Sequence, residues 1–151
     1  MEALLFTVDE RRCAIPLARV AEVVPAVNVQ AVPDSPDILE GVVNVRGEIL
    51  PVLSLRSRLG FAPRAVASTE YLIIVHAASR RVLFRSDTAP EIAALPEPDA
   101  IDPAFEGMDR ALAGVIPLPD GLALLQDVDA FMATVGSAAL AAADAEHAAH
   151  A

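Results

Sequence analysis

The feature that most constrains this chain is the segment 41–55, which reads Gly-Val-Val-Asn-Val-Arg-Gly-Glu-Ile-Leu-Pro-Val-Leu-Ser-Leu. Aliphatic residues dominate both sides of Arg46-Gly47-Glu48, which predicts two short strands joined by a tight turn. Gly47 suits the positive φ that such turns usually need. Since side chains alternate between the two faces of a strand, Asn44 and Arg46 fall on the same face. Two polar residues on one face of an aliphatic strand indicate a recognition surface.

Composition limits the classes of partner. The chain has 151 residues, enough for one domain or two small intertwined halves, with 54% hydrophobic and 4% aromatic residues. There are 21 acidic and 11 basic residues, all the latter arginine, for a formal charge of −10. This balance disfavours nucleic acid and anionic membrane and leaves proteins as partners. A single cysteine, the absence of a long apolar run and a start unlike a signal peptide predict a cytoplasmic protein without membrane insertion.

Apolar periodicity and turn residues predict many short strands and a few short helices. The predicted hairpins cover 4–17, 41–55, 70–84 with a turn at 78–80, and 114–125, and single strands are predicted at 27–32 and 90–95. Short helices are predicted at 18–24, 34–41, 55–59 capped by Ser54, and 127–136 capped by Asp127. A loop is predicted at 96–110, and the Ala-rich tail at 137–151 is left open between helix and frayed chain. This pattern is typical of an all-β barrel fold.

These segments together resemble the CheW-like coupling proteins of bacterial chemotaxis. The resemblance rests on Ala14-Ile15-Pro16-Leu17, on Val20-Ala21-Glu22-Val23-Val24, on Pro33 and Pro36 before Gly41, and above all on the Asn-x-Arg-Gly sequence at 44–47 with the following Pro51. It implies one domain at 1–136 with two intertwined five-stranded Src-homology-3-like β-barrels and a third apolar core between them.

The same resemblance implies a function and a site. The family has no catalytic activity, and no cofactor or metal is expected. Its members bridge the cytoplasmic tip of chemoreceptors to the regulatory domain of the histidine kinase CheA, and are recruited to receptor arrays at the membrane. The residues that match its receptor-facing groove are Val20, Glu22, Gly41, Asn44, Arg46 and Gly47, joined by Asp87 from the second half. For Glu22, an ordinary solvated helix residue is the alternative interpretation.

Two alternatives remain open. Leu83, Arg85 and Ser86 stand where the family has a glycine and two apolar residues, which motivates a diverged adaptor of a non-flagellar chemosensory pathway. An enzyme would depend on Cys13 and His76, although Cys13 is predicted to be a small core residue. His147 and His150 in the tail have no third ligand beside them in the sequence, so no metal site is predicted there.

Overall fold

Ten strands form two five-stranded sheets in the computed structural model, which describes residues 1–77, 80–99 and 112–150. The strands are β1 (Glu2–Val8), β2 (Arg11–Pro16), β3 (Val20–Pro25), β4 (Leu39–Val45), β5 (Glu48–Leu53), β6 (Tyr71–Ala77), β7 (Arg80–Ser86), β8 (Glu91–Ala94), β9 (Leu112–Leu118) and β10 (Gly121–Gln126). The helices are α1 (Leu55–Arg58), α2 (Val128–Thr134) and α3 (Ser137–His150), with a 3₁₀ turn at Leu17–Arg19.

The two sheets are intertwined along the chain. The first has the order β8-β1-β2-β10-β9, so strands from both ends of the sequence share it, and the second has the order β3-β6-β7-β5-β4. Each sheet contains one parallel pair, β2 with β10 and β5 with β7. The all-β fold with two five-stranded sheets is therefore confirmed, together with the four predicted hairpins. Residues 78–79 of the predicted turn at 78–80 and residues 100–110 of the predicted loop lie outside the described residues.

Three apolar clusters fill the molecule, as predicted. One cluster is enclosed by the strands of the second sheet and contains Val43 and Val45. A smaller cluster is enclosed by the strands of the first sheet. The largest lies between the sheets and includes Val42, because alternation along β4 directs it away from Val43. We call this largest cluster the central core. The rings of Phe84 and Phe131 meet edge to face there, with centroids 5.0 Å apart, and hold α2 in place.

Two predicted helix caps are confirmed. The side chain of Ser54 accepts a hydrogen bond from the backbone N–H of Ser57 at 2.9 Å, which satisfies a free donor at the start of α1. Asp127 does the same for Ala130 at 3.0 Å at the start of α2.

Three predicted elements between residues 18 and 41 were wrong. The predicted helix at 18–24 is instead the strand β3 after a 3₁₀ turn, because its valines suit a strand and pairing with β6 outweighs the weak helical spacing. The predicted strand at 27–32 makes only one isolated bridge, between Gln30 and Val42. The predicted helix at 34–41 is a series of turns leading into β4.

The Ala-rich segment forms α3, which lies against β4 and β5. Ala139 and Ala143, one helical turn apart, are buried and belong to the central core. No single described helix is long and apolar enough to cross a membrane; Val128–Thr134 and Ala139–Ala145 reach the required length and composition only as a pair, bent by 91°.

Candidate protein-docking surface

The turn between β4 and β5 is a two-residue turn made by Arg46 and Gly47. Val45 pairs with Glu48, and the two turn residues have φ values of 50° and 90°. Two consecutive positive φ values match the twist of a hairpin. The side-chain oxygen of Asn44 accepts a hydrogen bond from the backbone N–H of Gly47 at 2.7 Å. Asn44 therefore shapes the turn, while its side chain remains exposed beside Arg46.

An exposed ion pair connects this turn to β3. Arg46 donates through both terminal nitrogens to the two carboxylate oxygens of Glu22, at 3.1 and 2.6 Å. The side chains are 67% and 37% exposed. Hydrogen bonds from Arg46 hold the pKa of Glu22 below its ordinary value, and the same bonds raise the pKa of Arg46. Because β3 and β4 are the two end strands of the second sheet, the pair joins the sheet's two ends.

Two further charges, which sequence reasoning did not find, extend this arrangement. Arg81 on β7 donates to the carboxylate of Glu48 on β5, and its positive charge also lowers the pKa of Glu22. Glu22, Arg46, Glu48 and Arg81 are called the hairpin-tip cluster below. Glu48 directly follows the Arg-Gly turn, which was the available signal. Arg81 could not be placed from the sequence, because its position depends on β7 pairing beside β5.

Val20 and Gly41 have packing roles. Val20 pairs with Val75 and is partly buried against the central core. Gly41 is buried in β4, and a Cβ there would be 2.6 Å from the carbonyl oxygen of Gln30. Gly41 thus permits the close approach of the Gln30 backbone and the Val29 side chain.

Asp87 is separated from the hairpin-tip cluster. It lies at the other end of β7 from Arg81, six residues away, or roughly 20 Å along an extended strand. Its side chain is 14% exposed and accepts hydrogen bonds from the backbone N–H of Asp9 at 2.6 Å and from Arg56 at 3.1 Å. Arg64 lies 3.0 Å from its other oxygen. The structure therefore does not bring Asp87 together with the other predicted site residues.

Arg85, like Asp87, takes part in a group of largely buried ion pairs, which we call the internal ion network. Its side chain is 3% exposed, and Nη1 donates to Glu40 at 2.7 Å and to the carbonyl oxygen of Arg64 at 2.9 Å. Nε lies 3.0 Å from a carboxylate oxygen of Glu70, which is also 3% exposed. Burial raises the pKa of Glu40, although the charge of Arg85 opposes this shift. The arginine that departs from the family pattern thus faces inward and is matched by two carboxylates.

Cys13 and His76 differ in accessibility. Cys13 is fully buried in the central core, whereas His76 is exposed on β6. A solvent-borne substrate that reaches the imidazole has no access to the thiol. Within residues 1–77, 80–99 and 112–150, no group of three or more His, Cys, Asp and Glu residues is placed to hold a metal ion.

Comparison with known proteins decides the family. The family model "CheW-like domain" matches residues 2–135, from the first strand to the end of α2. This chain belongs to the CheW-like domain family. The Asn44–Gly47 turn, the Glu22–Arg46 pair and all ten strands lie inside the matched CheW-like domain, whereas α3 lies beyond it.

Curated relatives and a solved structure agree with this assignment. The chain is 33% identical over 72 residues to "Chemotaxis protein CheW" of Helicobacter pylori, covering 47% of this chain and 44% of the relative. It is 32% identical over 82 residues to "Probable chemotaxis protein CheW" of Rhizobium etli, covering 54% and 52%. These alignments span about half the length of the relatives. The crystal structure of scaffolding protein TtCheW from Thermoanaerobacter tengcongensis shares the fold, with a TM-score of 0.73, 24% identity and coverage of 89% of this chain and 93% of that one.

Proposed function

We propose that this chain is a non-catalytic adaptor that couples the cytoplasmic tip of chemoreceptors to the regulatory domain of the histidine kinase CheA. In this role it is cytoplasmic and is recruited to receptor arrays at the membrane. Membership of the CheW-like family supports the general role. The exposed Glu22–Arg46 pair at the β4–β5 turn is the observation on which the docking site depends.

The chemistry of the hairpin-tip cluster suits a partner that presents charged or carbonyl groups. It contains two carboxylates and two guanidinium groups. Arg46 directs two of its five N–H donors at Glu22, so the other donors can bind a carboxylate or carbonyl group of a partner. Because exposed ion pairs are held weakly, they can exchange partners at little cost. Receptor binding through this cluster should therefore weaken as ionic strength rises.

Two structural observations bear on the alternatives. The burial of Cys13 gives no support to an enzyme that uses a Cys13/His76 pair. Arg85 motivated a diverged adaptor of a non-flagellar pathway, but it is buried and paired with Glu40 and Glu70. Its substitution therefore gives no reason to infer an altered receptor surface.

The proposal is tested by measuring binding of the purified chain to a receptor cytoplasmic fragment and to the kinase regulatory domain. We expect Arg46→Ala and Glu22→Ala each to weaken receptor binding by at least about fivefold, the range in which interface charges act. Their melting temperatures should match that of the wild type, because both side chains are at the surface. Arg12→Ala is the matched control, since Arg12 forms a comparable exposed pair with Asp120 at 2.7 Å near the other sheet.

A charge swap separates a docking role from a structural one. In Glu22→Arg/Arg46→Glu the internal pair can form again with the charges exchanged. If the Glu22–Arg46 pair acts only by joining the two end strands of the second sheet, the swap should restore receptor binding. If each charge contacts the receptor, binding should stay weak. Wild-type receptor affinity in Arg46→Ala and Glu22→Ala would remove the hairpin-tip cluster from the proposal, and failure of the wild-type chain to bind either partner would refute the adaptor function.

A further inference from the structure

The helix α3 covers a face of the second sheet although it lies beyond the matched CheW-like domain. The family match ends at residue 135, and α3 begins at Ser137. The helix lies against β4 and β5, the two strands of the hairpin that carries Asn44 and Arg46. Among its described side chains, Ala139 and Ala143 are buried in the central core, and Leu140 and Ala142 are half-buried against it. The face of the β4–β5 hairpin that is turned towards the central core therefore already accepts a helix.

The covered face leads towards the predicted docking site. Val42 on β4 and Ile49 on β5 belong to, or pack against, the same central core as the buried alanines of α3. Asn44 is two residues from Val42, so it is on the same face of the strand, and it pairs directly with Ile49. Asn44 is exposed, whereas Val42 is buried. An apolar strip that ends at the exposed turn would thus be available to another helix if α3 moved away.

The contacts that hold α3 are modest. Three of the four described α3 side chains that contact the central core are alanines, which bury little apolar area each, and the fourth, Leu140, is only half-buried. Its described ion pair, between Asp144 and Arg80 on β7 at 3.2 Å, has an aspartate that is 63% exposed. Exposed ion pairs contribute little and are screened by salt. The helix therefore resembles a displaceable cover, held among its described side chains by a small apolar contact and one surface ion pair.

We propose that α3 is an autoinhibitory cover that competes with a helix of the chemoreceptor tip for the face of the β4–β5 hairpin that α3 covers. The identity of the competing helix rests on the proposed function. An amphipathic helix with several large apolar side chains would bury more area on this face than three alanines and one half-buried leucine do. The Arg80–Asp144 ion pair, called the latch below, holds α3 in the covering position.

Charge reversal at the latch tests this directly. Asp144→Arg places two arginines together and should release α3. The release should appear as faster hydrogen exchange of amides 137–150. It should also raise the affinity for the receptor fragment about three- to tenfold. The double variant Arg80→Glu/Asp144→Arg restores an ion pair and should restore both values. Asp120→Arg, which reverses the exposed pair with Arg12, is the matched control and should change neither.

A chain shortened to end at Gly136 provides the second measurement. We expect it to remain folded and to bind the receptor fragment at least as tightly as Asp144→Arg. An unfolded shortened chain would show that the domain cannot fold without α3. An Asp144→Arg variant with unchanged exchange or unchanged affinity would show that the latch or the competition is absent. Either result would overturn the proposal that α3 is an autoinhibitory cover. Weaker binding of Arg46→Ala in the same assay would leave the proposed adaptor function standing.

Discussion

Replacing Arg85 by leucine should destabilise the protein strongly, even though leucine suits a strand and the family commonly has an apolar residue there. Arg85 is 3% exposed and lies between Glu40, which is 12% exposed, and Glu70, which is 3% exposed. Leucine removes the cation and leaves both carboxylates in a site with little access to water. Glu70 keeps Arg64 at 3.4 Å and the backbone N–H of Ala67, whereas Glu40 loses its described salt-bridge partner. The loss of the Arg85 charge, and not the loss of packing, should dominate the effect.

The expected loss follows from the burial of these groups. Breaking a buried ion pair by removing one partner costs about 3–5 kcal/mol. For a domain of this size each kcal/mol lowers the melting temperature by about 2–4 °C, so Arg85→Leu should melt about 6–20 °C below the wild type. Arg12→Leu, which breaks the exposed pair with Asp120, should cost no more than about 1 kcal/mol.

The loss should depend on pH with a defined sign. Burial raises the pKa of Glu40 in the folded protein, so protonation of Glu40 favours the folded state. This stabilisation is fully present below the pKa that Glu40 has in the unfolded chain. It is lost as the pH rises through the pKa of Glu40 in the folded protein. Removal of Arg85 takes away a charge that lowers this pKa. The part of the Arg85→Leu deficit that comes from Glu40 should therefore be smallest below the pKa of a glutamate in the unfolded chain and should grow as the pH rises above it.

Urea unfolding at several pH values, followed by circular dichroism, measures these differences. Arg85→Leu combined with Glu40→Gln and Glu70→Gln should regain much of the lost stability, since replacing a whole buried ion cluster is often close to neutral. A single Arg85→Leu variant as stable as the wild type at pH 8, or a triple variant no better than the single one, would refute the reasoning.

Three other substitutions test the hairpin. Val43→Asp should unfold much of the protein at 25 °C, because an unpaired charge in the second sheet's core costs several kcal/mol; native-like circular dichroism would contradict this. Gly41→Ala should lower the melting temperature measurably, because its Cβ would be 2.6 Å from the carbonyl oxygen of Gln30, and an unchanged melting curve would show that the backbone yields. Asn44→Ala removes the acceptor for the N–H of Gly47 and should cost about 1 kcal/mol in urea unfolding; no loss would assign Asn44 to binding alone.

The sequence was most informative where local chemistry decides structure. The strand pattern on both sides of Gly47 predicted the central hairpin, and the caps at Ser54 and Asp127 marked two helix starts correctly. It failed at 18–24, where valines at helical spacing form the strand β3. Pairing with β6 is a contact between residues about fifty positions apart, and local spacing carries no information about it.

The amino-acid sequence by itself determined an aliphatic β-barrel protein, its Asn-x-Arg-Gly turn and its resemblance to the CheW-like family, because these depend on alternation and turn chemistry within a few residues. Only the tertiary structure decided which charges meet. It paired Arg46 with Glu22, placed Arg81 beside Glu48, and turned Asp87 and Arg85 into an internal network. The physical reason is that an ion pair needs two side chains within about 4 Å, and strand order, set by the packing of three apolar cores, fixes that distance.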